Sequence, residues 1–151
     1  MDWKLDLVLI PVADVDRAKT FYTERMGFTL DVDHRSGDAF RVVQLTPPGS
    51  ACSISFGTGI TDAAPGSVRG LHLVVSDIEA ARDELLGRGV EVGQVQHFED
   101  GRMKDGVDAE RRDFASFLPF SDPDGNVWTL QEVRGATEAE RDRSGREASA
   151  S

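Results

Sequence analysis

The chain has 151 residues, 39% of them hydrophobic and 29% charged, and a formal net charge of −10. That length suffices for one domain with a sizeable core, while the acidity excludes the basic footprint that nucleic-acid binding requires. No apolar run approaches the roughly 20 residues that cross a bilayer, and Met1-Asp2-Trp3-Lys4-Leu5-Asp6 lacks the basic and apolar regions of a secretory signal.

With a single cysteine, Cys52, no intrachain disulfide can form. A reducing cytoplasm is therefore the expected location, and Cys52 reads as a small buried strand residue. Residues 134–151 carry four Arg and four acids, so residues 1–133 hold the whole excess, 13 basic against 23 acidic side chains. Such a body favours cationic or neutral ligands over anionic ones.

Leu5 to Val12 reads as a buried strand. Asp14 then caps a helix whose apolar stripe is Val15, Ala18, Phe21 or Tyr22, and Met26, stopped by Gly27. Phe28 to Asp33, Phe40 to Thr46 and Cys52 to Phe56 follow as strands, completing a βαβββ unit. Ile60 to Arg69, rich in Gly, Ala, Pro and Thr, is the expected linker. Leu71 to Val75 opens a second unit. Ser76 and Glu79 fit a capping box ahead of a helix with Ile78, Ala81, Leu85 and Leu86 on its apolar face. Val90 to Val95, Phe114 to Phe120 and Val127 to Val133 supply three more strands.

Glu99 to Asp113 holds ten charged residues in fifteen and reads as a solvated loop. Residues 134–151 contain no Val, Ile, Leu, Met or aromatic side chain and are expected to be a disordered tail.

The two units repeat one another. Val12-Ala13-Asp14-Val15-Asp16-Arg17-Ala18 returns as Val75-Ser76-Asp77-Ile78-Glu79-Ala80-Ala81, with Asp14 and Asp77 63 positions apart. Pro47-Pro48-Gly49-Ser50 before Cys52 to Phe56 is echoed by Pro123-Asp124-Gly125-Asn126 before Val127 to Gln131. Repeated supersecondary units usually bury their apolar faces together.

The repeat, the Phe21-Tyr22 and Met26-Gly27-Phe28 positions and the Asp122-Pro123-Asp124-Gly125-Asn126 turn together resemble the vicinal oxygen chelate superfamily, which contains glyoxalases, bleomycin-resistance proteins and extradiol dioxygenases. The resemblance implies an α+β domain over residues 1–133, with βαβββ units at about 5–59 and 70–133. Their eight strands would form one strongly curved mixed sheet, a cup with helices outside and a ligand inside. It also implies a homodimer.

Metal-binding members of that superfamily usually carry a His, Gln or Glu seven residues before each helix-capping Asp, and a Glu four residues after the turn glycine. Those places hold Leu7 and Gly70, and Thr129 with its repeat partner Ser53. Hydrocarbon and neutral hydroxyls are poor ligands for a divalent first-row metal, so no metal and no other cofactor is expected. The next inward layer lies two residues along each strand and holds Leu9, Ser55, His72 and Gln131. A metal could return only in a shifted site at His72, the one candidate catalytic group. Glu132 is the only nearby acid, and strand alternation points it away.

Leu7, Leu9, Ser53, Ser55, His72, Thr129 and Gln131, with Gln44 if its face agrees, have the make-up of a small-molecule pocket: an apolar wall with a few polar groups. His34 and His97 are expected at the surface and Trp128 and Leu130 in the core. The leading expectation is a metal-free protein that binds, and in a resistance role sequesters, a small organic molecule. The alternatives are a lyase, isomerase or dioxygenase of glyoxalase type using Mn, Fe, Ni or Zn at His72, and a regulatory or structural dimer with a vestigial cup.

Overall fold

The computed structural model of the protein describes residues 1–135. The expected disordered tail therefore lies, from residue 136 on, outside the described residues; Arg134 and Gly135 sit in a turn. The fold is α+β, in two units that each follow the β-α-β plan.

The first unit comprises Met1–Gly70 with Ser121–Val127. Its sheet has the order β1 (Leu7–Leu9), β4 (Ser53–Thr58), β3 (Phe40–Thr46), β2 (Thr29–Ser36). β1 runs parallel to β4, and the other neighbours are antiparallel. Between β1 and β2 lies α1 (Val15–Thr20), which continues as a π-helical turn over Phe21–Arg25. Asp14 caps it as the sequence predicts: the backbone is extended, with φ −121°, and the carboxylate accepts the Arg17 N–H at 3.0 Å.

Ile10, Ala18, Tyr22, Phe28, Val43, Leu45, Ile54 and Phe56 are buried in this unit. Tyr22 stacks on Phe28 with ring centroids 5.6 Å apart. Aromatic pairs of this geometry add roughly 0.5–1.5 kcal/mol beyond area burial. On β4, Gly57 is required by close approach. A Cβ there would lie 1.8 Å from the Arg41 carbonyl oxygen, so any larger residue would force the strands apart. The outer strand β2 is exposed along its whole length, and its Asp31, Asp33 and Arg35 guard an otherwise open edge against pairing with other chains.

The second unit comprises Leu71–Phe120 with the described residues from Trp128 onward. Its sheet has the order β5 (Leu71–Val75), β9 (Val127–Glu132), β8 (Ser116–Ser121), β6 (Gln96–Glu99), β7 (Arg102–Asp105), with α2 (Ile78–Gly87) between β5 and β6. β5 runs parallel to β9, as β1 does to β4. Trp128 and Leu130 are buried as expected, and Trp128 stacks flat on Phe120 with centroids 6.2 Å apart.

Three local expectations fail here for physical reasons. The N-cap of α2 is Asp77, whose carboxylate accepts the Ala80 N–H at 3.1 Å, so there is no Ser76–Glu79 capping box. Val90 to Val95 is not a strand. Gly89 adopts φ +81°, its N–H bonds the Leu86 carbonyl and the Val90 N–H bonds the Leu85 carbonyl. This Schellman ending packs Val90 back against the helix instead of starting a sheet.

Pairing resumes only at Gln96, and the charged stretch expected to be loop is divided: its residues up to Asp105 belong to a β6–β7 hairpin, while 106–113 form a loop as expected. The described strands thus number nine, in a four-stranded and a five-stranded sheet, rather than eight in one sheet. Cys52 is half-buried just before β4 rather than within it. No helix among the described residues is long and apolar enough to cross a membrane.

Candidate functional site

Strand register decides which predicted residues share a face. In the first unit Leu9 is opposite Ser55, Ser55 opposite Gln44, and Gln44 opposite Val32. Directly paired residues project to the same side of a sheet, so Gln44 joins Leu9 and Ser55, with Val32 extending the row. One layer along, Leu7 is opposite Ser53. The core residues Val43, Leu45, Ile54 and Phe56 alternate with these and occupy the other face.

The polar members of these two rows are largely committed. Thr46 Oγ1 donates to Asp31, so the 2.7 Å contact between the Ser53 and Thr46 hydroxyls is donated by Ser53. Ser55 Oγ is fully buried and donates to the Val43 carbonyl at 2.9 Å.

In the second unit His72 is opposite Thr129 and Val74 opposite Gln131, placing all four on one face of β5 and β9. His72 Nδ1 lies 2.7 Å from Gln131 Oε1. Glu132 points the other way, as alternation requires. It is fully buried and receives Arg111 Nε at 2.8 Å, Arg111 Nη2 at 2.6 Å and the Ile78 N–H at 3.0 Å. These donors hold its carboxyl below the usual range, the Arg111 hydrogen bonds being the main cause.

Four residues that sequence reasoning did not assign to this site also stand on the second unit. Gln96 is opposite both Phe117 and Asp105, and Phe98 is opposite Met103, so Phe98, Met103 and Phe117 lie on one face of β6, β7 and β8. Phe98 is 59% exposed, Met103 41% and Phe114, in the loop before β8, 56%. Phe98 meets Phe117 edge-on at 6.1 Å. The Phe114 carbonyl is 3.4 Å from Gln131 Nε2, which ties the loop before β8 to the His72 pair. Exposed apolar side chains and a polar His72–Gln131 pair, both on the second unit, are groups that suit an amphipathic organic molecule.

These side chains do not fit a divalent metal. The places at which a metal-binding relative would supply ligands hold Leu7, Gly70, Ser53 and Thr129. In the shifted register, His72 spends Nδ1 on Gln131, and the carboxylate of Glu132 is locked to Arg111 on the opposite face. Among the described residues no three His, Cys, Asp or Glu groups converge as a metal site would require.

A separate cleft of roughly 340 Å³ in the first unit is lined by Asp14, Asp16, Arg35, Asp38, Phe40, Arg41 and neighbours, and includes none of the predicted site residues. Arg41 there is a buried structural ion: it grips Asp33 in a two-pronged bond of 3.0 and 2.9 Å and Asp16 at 2.7 Å. Asp33 titrates well below its usual range, chiefly because of Arg41 and then Lys19.

His34 is exposed on β2, as expected. His97 is more embedded than expected, with Nδ1 at 2.8 Å from the Gly106 carbonyl and Nε2 at 3.2 Å from Glu99. Both partners favour the imidazolium and raise its pKa, the Gly106 carbonyl most. Trp3 is 89% exposed.

Tandem β-α-β units with Asp-capped helices and an Asp-Pro-Asp-Gly-Asn turn define a paired-module α+β protein of the chelate-fold class. The profile of the Glyoxalase/Bleomycin resistance protein/Dioxygenase superfamily matches residues 4–130, and the chain belongs to that superfamily. Similar solved structures include TnmS3, an antibiotic-binding protein from Streptomyces sp. CB03234. It is 34% identical with a TM-score of 0.67, the match covering 87% of this chain and 96% of that one. A glyoxalase/bleomycin resistance protein from the same strain is also 34% identical, with a TM-score of 0.65, over 85% of this chain and all of that one. The uncharacterized protein YetH of Bacillus subtilis is 24% identical over 85% of this chain and 98% of its own length.

Proposed function

We propose that this protein binds a small organic molecule without a metal, that the residues holding it are drawn from Leu7, Leu9, Gln44, Ser53, Ser55, His72, Thr129 and Gln131, and that it acts by sequestration. The observation that carries the reading is the chemistry of those residues. They combine aliphatic surface with hydroxyl, amide and imidazole groups, and the Ser53 and Ser55 hydroxyls are already bonded within the protein. Similarity to an antibiotic-binding protein at 34% identity supports the same class of ligand. The acidic body favours cationic or neutral molecules. A homodimer, as the family resemblance implies, and a cytoplasmic location, which a single cysteine fits, belong to the same proposal.

Thermal-shift screening of cationic and neutral aromatic antibiotics tests it. A molecule present at 100 times its Kd stabilises the native state by about 2.7 kcal/mol, which in a protein of this size raises Tm by roughly 5–10 °C. His72→Ala should reduce that shift. Titration with Mn, Fe, Ni and Zn should leave Tm unchanged. One equivalent of tightly held metal, lost on His72→Ala, would overturn the reading in favour of glyoxalase-type or dioxygenase chemistry.

A further inference from the structure

The His72–Gln131 pair has an internal orientation that determines what it can offer a ligand. A carboxamide has one accepting end and one donating end. Gln131 places Nε2 at 3.4 Å from the Phe114 carbonyl and Oε1 at 2.7 Å from His72 Nδ1. Turned round, the amide would set its oxygen against the Phe114 oxygen, two acceptors with no proton between them. The Phe114 carbonyl can only accept, so the orientation that lets Nε2 donate to it, over a long 3.4 Å, is the favoured one and turns Oε1 toward His72. An amide oxygen also only accepts, so the proton belongs on His72 Nδ1. Neutral imidazole carries one ring proton, which leaves Nε2 with a free lone pair. A solvated histidine ordinarily prefers the opposite tautomer.

The Phe114 carbonyl is itself fixed. Phe114 and Arg111 both adopt left-handed backbone, φ +62° and +52°, which costs a non-glycine residue energy and needs support. The support is present: the Phe114 N–H bonds the Glu132 carbonyl at 2.8 Å, and the Arg111 guanidinium is held by the Glu132 carboxylate and by Glu79 at 2.7 Å.

We infer that the 111–114 loop sets the Gln131 amide, that Gln131 holds His72 as the Nδ1–H tautomer, and that Nε2 accepts a hydrogen bond from an aromatic ligand bearing an O–H or N–H. The ligand half of this inference rests on the small-molecule reading above. The tautomer half does not. In these terms His72 contacts the ligand and Gln131 is a positioning residue.

Long-range ¹H–¹⁵N spectra of the ligand-free protein read the tautomer directly. Wild type should show the Nδ1–H pattern at His72, and Gln131→Ala and Gln131→Met should both revert to Nε2–H. An Nε2–H pattern in wild type, or no change in either variant, would overturn the assignment whatever the protein binds. For the ligand half, 1-naphthol should bind about tenfold more tightly than 1-methoxynaphthalene, the worth of one well-placed hydrogen bond. That preference should vanish in His72→Phe and in Gln131→Ala, where Nε2–H becomes a donor that either oxygen can accept. Equal affinity of the two naphthalenes for wild type, or failure of both to bind, would overturn the acceptor role.

Discussion

Replacing Glu132 by Ala should cost about 3–5 kcal/mol of folding stability, the range for removing one partner of a buried ion pair. The carboxylate is fully buried and satisfies three donors from two directions, Arg111 Nε and Nη2 and the backbone N–H of Ile78 at the start of α2. Its loss leaves a half-buried guanidinium without its main counter-charge and the first turn of α2 without an acceptor. Urea denaturation at pH 7 measures the effect, and a loss below about 1 kcal/mol would show the pair to be solvated.

The same residue makes a pH prediction. The Glu132 carboxyl titrates below its ordinary value near 4.5 in the folded state. Its contribution is therefore complete above pH 4.5 and is lost as pH falls through the folded pKa. Asp33 is held low by Arg41 and Lys19, and Asp108 is held at about 2 by Arg112, so both act in the same sense. Wild-type stability should fall steeply below pH 4.5, and Glu132→Gln should flatten that fall without abolishing it. An unchanged slope in Glu132→Gln would mean that the carboxyl titrates alike in folded and unfolded chains.

How far the sequence reaches can be judged from these elements. The Asp14 cap, the strands at Phe40 to Thr46 and Leu71 to Val75, and the core placement of Trp128 and Leu130 follow from local rules that tertiary context does not override. Alternation also placed Glu132 away from His72, where it stands. The β6–β7 hairpin was hidden because composition pointed to loop, although Asp100-Gly101 between two four-residue strands is a strong hairpin signal. Both residues take positive φ, 53° and 73°, as a primed turn demands. It is that turn that puts Phe98 and Met103 on one face. The Phe114–Gln131 contact depends on two left-handed residues that no periodicity announces.

The Asp122 to Asn126 turn, which the sequence marks as a repeat echo and a family feature, should prove as costly to disturb as the Arg111–Glu132 pair. Asp122 is buried and its carboxylate takes four hydrogen bonds: from Tyr22 Oη at 2.8 Å, Asn126 Nδ2 at 2.8 Å, the Asn126 N–H at 2.9 Å and the Asp124 N–H at 3.0 Å. Asn126 is fully buried, donates to the Pro11 carbonyl and accepts the Val68 N–H, so the turn fastens the end of β1 to the segment before β5. Asp122→Ala should therefore cost about 3–5 kcal/mol, since hydrogen bonds to a charged group are worth roughly 1.5–3 kcal/mol each and orphaned buried donors add their own penalty. Tyr22→Phe removes a single donor, leaves the other three in place and keeps the ring stacked on Phe28, and so should cost only about 1–2 kcal/mol. Thermal or urea unfolding of both variants decides the matter. Equal losses would mean that the Tyr22 contact carries the turn alone, and a negligible loss for Asp122→Ala would mean that water replaces the carboxylate.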